Sequence, residues 1–115
     1  LFGCGGDRDK TKRPVMGAIA AQLADFVIVT SDNPRTEKPE AIIDDILEGL
    51  RGCGTPHVTI PNRVAAIHYA MDNARSGDVI VLAGKGHEDY QEIDHKHYPM
   101  DERVIVAEHL KDMRK

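Results

Sequence analysis

Several absences narrow the reading before any motif does. No apolar run in the 115 residues approaches the roughly 18 needed to span a bilayer, so membrane insertion is excluded. Basic residues are short: 15 Lys and Arg against 19 Asp and Glu give a net charge of −4 and a pI near 5.8. A dedicated nucleic-acid binder shows a basic face, so nucleic acid is not an expected partner. Cysteine is scarce. Cys4 and Cys53 stand far apart with no CxxC pair, which indicates neither a zinc site nor a disulfide framework. They read as reduced thiols of a cytoplasmic protein. An initiator methionine and a signal peptide are missing too: the chain opens with LFGCGG, half a strand running into a glycine turn. Such a start reads as a domain excised from a longer chain.

What is present is a globular composition, 41% hydrophobic and 30% charged, enough for one domain and not for two. Four stretches fit the i, i+3, i+4, i+7 helix template. The first carries Met16, Ile19, Ala20 and Leu23 behind Pro14, which suits a first turn. The second carries Ile43, Ile46, Leu47 and Leu50, entered through Pro39 and closed near Gly52 and Gly54. The third carries Ile67, Ala70, Met71 and Ala74 and ends at Ser76-Gly77. The last, from about Asp101 to Met113, sets Val106, Leu110 and Met113 on one side.

Between them lie LFGC at the start, FVIVT at 26–30, HVTI at 57–60 and DVIVLAG at 78–84. These runs are β-branched and nearly continuous, as strands covered on both faces must be. Repeated strand–helix alternation predicts βαβ units and a three-layer, Rossmann-like α/β domain with a mostly parallel sheet. EIDHKHYPM breaks the rhythm and predicts a polar hairpin or antiparallel edge strand before the last helix.

In such sheets ligands bind beyond the carboxyl ends of the strands. The loops there read GGDRDKTKRP, SDNPR, PNR and KGHEDYQ. A parallel sheet would gather Asp7, Arg8, Asp32, Asn33, Arg35, Arg63, Lys85, His87 and Glu88 on one rim. Singly, each loop has a plain reading. The first is a glycine turn leading into a charged helix start; it lacks the GK[ST] of a P-loop and the glycine spacing of a dinucleotide fingerprint. SDNPR alone is an Asx-type turn. GKGHE lacks HExxH spacing, and His95 and His97 read as surface residues before they read as metal ligands. His57 and His68 carry no signal. The combination says more. Charges of both signs at one rim suit a zwitterion, whose ammonium needs carboxylates and whose carboxylate suits a guanidinium.

GCGGDRDKTKRP, DNPR and AGKGHEDYQ, in this order and spacing, resemble the C-terminal domain of the Mur ligases. The likeness is nearest to those members that add meso-diaminopimelate to UDP-N-acetylmuramoyl-L-alanyl-D-glutamate in peptidoglycan synthesis, and it runs over essentially the whole chain. Thr11, where a glycine is common, is a minor departure. The resemblance implies a three-domain, cytoplasmic bacterial ligase, with a UDP-substrate domain, a central ATPase and this domain. In that reaction ATP phosphorylates a carboxylate and an incoming amine displaces the phosphate.

It further implies that Arg8, Asp32, Asn33, Arg35, Gly84 and Glu88 contact meso-diaminopimelate, with Pro34 fixing the loop. By charge, Arg8 and Arg35 would hold carboxylates, while Asp32, Glu88 and the Gly84 carbonyl would receive an ammonium. Asp7 resembles the acid that reaches ATP. The phosphate-binding loop, the Mg2+ ligands and the carbamylated lysine belong to the central domain in this family. No catalytic residue or metal site is therefore expected in this chain, which alone should not turn over. Lysine lacks only the distal carboxylate, and stranding a desolvated guanidinium costs on the order of 2–5 kcal/mol.

Other readings remain open. Within the family they are a lysine-adding or peptide-recycling ligase, against which DNPR weighs. Outside it they are a non-catalytic α/β ligand-binding module of receiver type, and a metal-dependent hydrolase using His87, Glu88, His95 and His97. Oligomeric state leaves no trace in the sequence.

Overall fold

The computed structural model describes residues 1–85 and 88–114. His87, named above, lies outside them. The order of elements is α1 (Lys12–Leu23), β1 (Val27–Val29), α2 (Pro39–Glu48), β2 (His57–Thr59), α3 (Arg63–Asn73), β3 (Tyr90–Ile93), β4 (Lys96–Pro99) and α4 (Glu102–Met113).

β1 is the centre. It pairs in parallel with β2, Val27 opposite His57 and Val29 opposite Thr59. On its other side Phe2 forms a parallel bridge to Val29, with Phe2 N–H donating to the Ile28 carbonyl and Thr30 N–H to that of Phe2. Alternation along a strand sends successive side chains to opposite faces. Val27 and Val29 therefore pack with Phe2, Ile42, Ile43, Ile46 and Leu50 against the α1–α2 layer. Ile28 points the other way, to Ala66 and Ala70 of α3. Two helical layers thus cover one parallel sheet, as expected.

The caps follow from sequence. Asn62 accepts from Ala65 N–H at the start of α3, Asp101 accepts from Arg103 N–H at the start of α4, and Pro39 opens α2, where no N–H is needed. The hairpin expected near the C-terminus is β3–β4, antiparallel, with Ile93 opposite Lys96. Its two turn residues, Asp94 and His95, both have positive φ (49° and 65°), the type I′ geometry that matches strand twist.

Three expectations need correction. Residues 78–84 do not form a covered strand: Val79 and Val81 are 86% and 63% exposed. Only residues 81–83 join the sheet, through the Leu1 ammonium donating to the Val81 carbonyl and Ala83 N–H donating to that of Leu1. α1 does not bury Met16, Ile19 and Leu23; it buries Arg13, Gly17 and Ala21. A Cβ on Gly17 would fall 2.3 Å from the Ile46 carbonyl oxygen, so the small residue brings α2 close and sets the contact one stripe away. Likewise Leu110 and Met113 of α4 are exposed, and its buried residue is Glu102.

Candidate functional site

Four parts of the chain meet beyond the carboxyl end of β1: the glycine turn 3–8, the loop 31–37, β3, and Gly84 and Lys85 with Glu88. Close backbone packing joins the first two. Gly6 N–H donates to the Asn33 carbonyl at 2.7 Å, and a Cβ on Gly3 or Gly6 would fall 2.4 or 1.8 Å from the carbonyl oxygens of Thr30 and Pro34. Only glycine fits at these points.

Asn33 is the hub, buried at 4% exposure. Its Oδ1 accepts from Lys85 Nζ at 2.8 Å and from Glu92 N–H at 2.9 Å, while its Nδ2 donates to Glu88 Oε1 at 3.3 Å. The Lys85 side chain is fully buried; its ammonium lies 3.0 Å from Asp32 Oδ1 and 3.3 Å from Glu88 Oε1. It sits off the hydrogen-bonding direction of the Asp32 oxygen, which makes no hydrogen bond among the described residues, so that contact is an ion pair. Burial pushes the Glu88 carboxyl up, but the Asn33 amide and Lys85 outweigh it and hold the group below its usual range. Gly84 has φ 104°, and a Cβ built on it would touch the Asp32 carboxylate, 4.0 Å from Oδ2.

Arg35 stands at the other side, also in the left-handed region at φ 52°. Its Nη1 donates to the Gly6 carbonyl at 2.9 Å and to that of Asn33 at 3.4 Å, and its Nε to Glu92 Oε1 at 3.2 Å. Gly5 is flanked by the Arg35 guanidinium and the stem of Arg8. Arg8 itself is exposed, donating to the Asp7 carbonyl. The Asp7 carboxylate accepts from the Thr36 hydroxyl at 2.5 Å and from Thr36 N–H at 3.3 Å.

The structure therefore brings Asp32, Asn33, Arg35, Gly84 and Glu88 into one cluster, with Asp7 and Arg8 on its exposed flank. Arg63 departs from the expected rim. It is 1% exposed and bonded to Glu102 Oε2 at 2.8 Å and to the carbonyls of Ser31 and Ala83. It ties the loop and residue 83 to α3 from beneath, because a guanidinium taken out of water needs acceptors for its donors. Lys85 is no rim residue either, but the buried cation between two acids.

Beyond the cluster, Arg13 is the main support. Its guanidinium reaches Glu37 Oε2 at 2.7 Å and Asp45 Oδ2 at 2.9 Å and the Gly5 carbonyl at 3.0 Å. Glu37 Oε2 also accepts from Asp7 N–H at 2.6 Å. Arg13 holds the Glu37 carboxyl down at about 2. Arg13 and Gln91, whose amide donates to the Asp32 carbonyl at 2.6 Å, stand at the ends of GCGGDRDKTKRP and AGKGHEDYQ without having been singled out as site residues, and Glu37 falls outside the three motifs. His95 occupies the hairpin turn and His97 stacks on Tyr90. Among the described residues no group of three His, Cys, Asp or Glu converges as a metal site would require.

The chain resembles proteins of one kind. The diaminopimelate ligase acting on UDP-N-acetylmuramoyl-L-alanyl-D-glutamate, from Caldanaerobacter subterraneus subsp. tengcongensis, is 56% identical over 115 residues, covering 100% of this chain and 24% of that protein. The ligase of the same name from Gloeobacter violaceus is 54% identical over 114 residues, covering 99% and 23%. A solved structure of a UDP-N-acetylmuramoyl-L-alanyl-D-glutamate--2,6-diaminopimelate ligase superposes with a TM-score of 0.94 at 45% identity, over 99% of this chain and 23% of that one. The chain thus spans about a quarter of the length of these relatives. The family model described as Mur ligase, glutamate ligase domain, matches residues 1–86. The chain belongs to that family.

Proposed function

We propose that the chain is the C-terminal, amino-acid-selecting domain of an ATP-dependent ligase that adds meso-diaminopimelate to UDP-N-acetylmuramoyl-L-alanyl-D-glutamate in the bacterial cytoplasm. The carrying observation is the division of charge within one cluster. Asp32 and Glu88 meet across Lys85, with Gly84 beside the Asp32 carboxylate, which suits an ammonium. Arg35 has Nε and Nη1 engaged and no hydrogen bond to Nη2 among the described residues, which suits a carboxylate. Arg8 is the second guanidinium on the same flank. A ligand with an amino-acid group at its far end matches both halves; lysine, with no distal carboxylate, matches one. That asymmetry favours diaminopimelate over the lysine-adding reading.

ATP and Mg2+ belong to the reaction but find little here. Gly3 and Gly6 of the first turn pack against the protein's own carbonyls, which leaves those two no room to approach a phosphate. The Asp7 carboxylate is already engaged by Thr36. Asp7 would touch the edge of a nucleotide held mainly by another domain, and ATP, when bound, supplies the activation of the acceptor carboxylate. This domain's own part is to bind and orient the incoming amine.

Phosphate release tests the reading. The complete ligase carrying this domain should release phosphate from ATP in the presence of the UDP-linked dipeptide and meso-diaminopimelate, far faster than with lysine, and residues 1–115 alone should release none. Equal rates with the two amino acids, or ligation by the isolated chain, would contradict it.

A further inference from the structure

Glu92 touches the 33–35 loop three times although it lies 57 residues beyond Arg35 and outside the family match at 1–86. Its N–H donates to Asn33 Oδ1 at 2.9 Å. Its carbonyl accepts from Arg35 N–H at 3.0 Å. Its carboxylate accepts from Arg35 Nε–H at 3.2 Å. Asp94 N–H then donates to the Arg35 carbonyl at 2.7 Å, so β3 and the turn that follows it grip the Arg35 backbone at both its N–H and its carbonyl. Arg35 needs that grip, because a non-glycine residue at φ 52° is held there only by its surroundings.

The side chain completes the arrangement. A guanidinium carries five N–H donors in a rigid plane. Glu92 takes the one on Nε, and the Gly6 and Asn33 carbonyls take those on Nη1. Fixing both positions stops rotation about the Cδ–Nε bond and leaves Nη2 as the presented edge. Arg35 and Glu92 side chains are 18% and 25% exposed, so the pair lies at the site's surface and not in the core. His97 Nε2 lies 3.9 Å from the same Glu92 oxygen, from β4.

We infer that Glu92 is a specificity-determining positioning residue, which aims the Arg35 guanidinium so that Nη2 meets the distal carboxylate of the incoming amino acid. This rests on the reading of Arg35 as a carboxylate clamp. A free arginine would pay rotamer entropy on binding; a held one does not, and losing one charge-assisted hydrogen bond corresponds to about a tenfold weaker ligand.

Two measurements test it. In the 115-residue chain, the Arg35 Nε–H resonance should be slow to exchange in wild type, still visible in Glu92→Gln and lost in Glu92→Ala. In the complete ligase, Glu92→Ala should raise the KM for meso-diaminopimelate about tenfold with a much smaller change in kcat, and should leave the KM for lysine unmoved. Glu92→Gln, which still accepts from Nε, should recover most of the loss. An unchanged or lower KM in Glu92→Ala, or no recovery by glutamine, overturns the inference. Arg35→Ala is the control: if it raises the KM and Glu92→Ala does not, the inference alone falls, and if Arg35→Ala has no effect, the clamp reading falls with it.

Discussion

Gly6 and Pro34 are in backbone contact so close that a Cβ on Gly6 would stand 1.8 Å from the Pro34 carbonyl oxygen. The obstacle is backbone on both sides, so no side-chain rotation relieves it. Gly6→Ala should therefore push the 31–37 loop away from the first turn and cost about 3 kcal/mol. Urea unfolding measures the cost, and amide shifts at 33–37 in the folded variant would show the displaced loop.

Lys85 stands between Asp32, Asn33 and Glu88 with its side chain wholly buried. Removing its charge in Lys85→Met leaves two acids facing each other. Because both acids are partly exposed, the loss should be about 2 kcal/mol, below that of a fully buried pair. The Glu88 carboxyl, now held below its usual range partly by Lys85, should titrate at higher pH. A carbon-detected NMR titration of Glu88 reads the direction.

Glu37 links pH to stability. Its folded carboxyl is depressed to about 2 from an ordinary 4.5, first by Arg13 and then by the Asp7 amide. A depressed acid contributes stability that is present above the unfolded value and lost as pH falls through the folded one. The window is therefore roughly pH 4.5 down to 2. Glu37→Gln should lower the melting temperature at pH 7 and flatten the decline within that window, as scanning calorimetry from pH 7 to pH 2 would show.

Arg63 makes a different prediction from the rim residues. Its partners are Glu102 and the Ser31 carbonyl, buried with it, and the carbonyl of Ala83. Arg63→Met strands the Glu102 charge and should destabilise the fold by about 3–5 kcal/mol. Arg8→Ala, exposed and without a salt bridge among the described residues, should change stability by less than about 0.5 kcal/mol. Urea midpoints of the two variants compare them directly.

Much of the fold could be read along the chain because local pattern and tertiary role agree there. FVIVT alternates its faces between two helical layers, and Ile43, Ile46 and Leu50 lie on the face that packs. The readings fail where a distant partner decides. α1 turned its Gly17 stripe inward because α2 packs against it there, and DVIVLAG stays largely exposed at Val79 and Val81. At the site, the three motifs name Asp32, Asn33, Arg35, Gly84 and Glu88, which do cluster. Arg63 looked like one more rim charge because nothing local shows that Glu102 and Ala83 enclose it. Glu92 was invisible, since its contacts to Asn33 and Arg35 arise only when the hairpin folds back over the loop.

In the proposed function the cluster selects a second carboxylate through Arg35. The most direct measurement is a two-dimensional amide NMR titration of residues 1–115 with meso-diaminopimelate and, in parallel, with L-lysine. Shifts confined to residues 5–9, 31–36 and 84–90 are expected with diaminopimelate, absent with lysine and lost in Arg35→Ala. Equal responses to the two amino acids, or a response that survives Arg35→Ala, would contradict it.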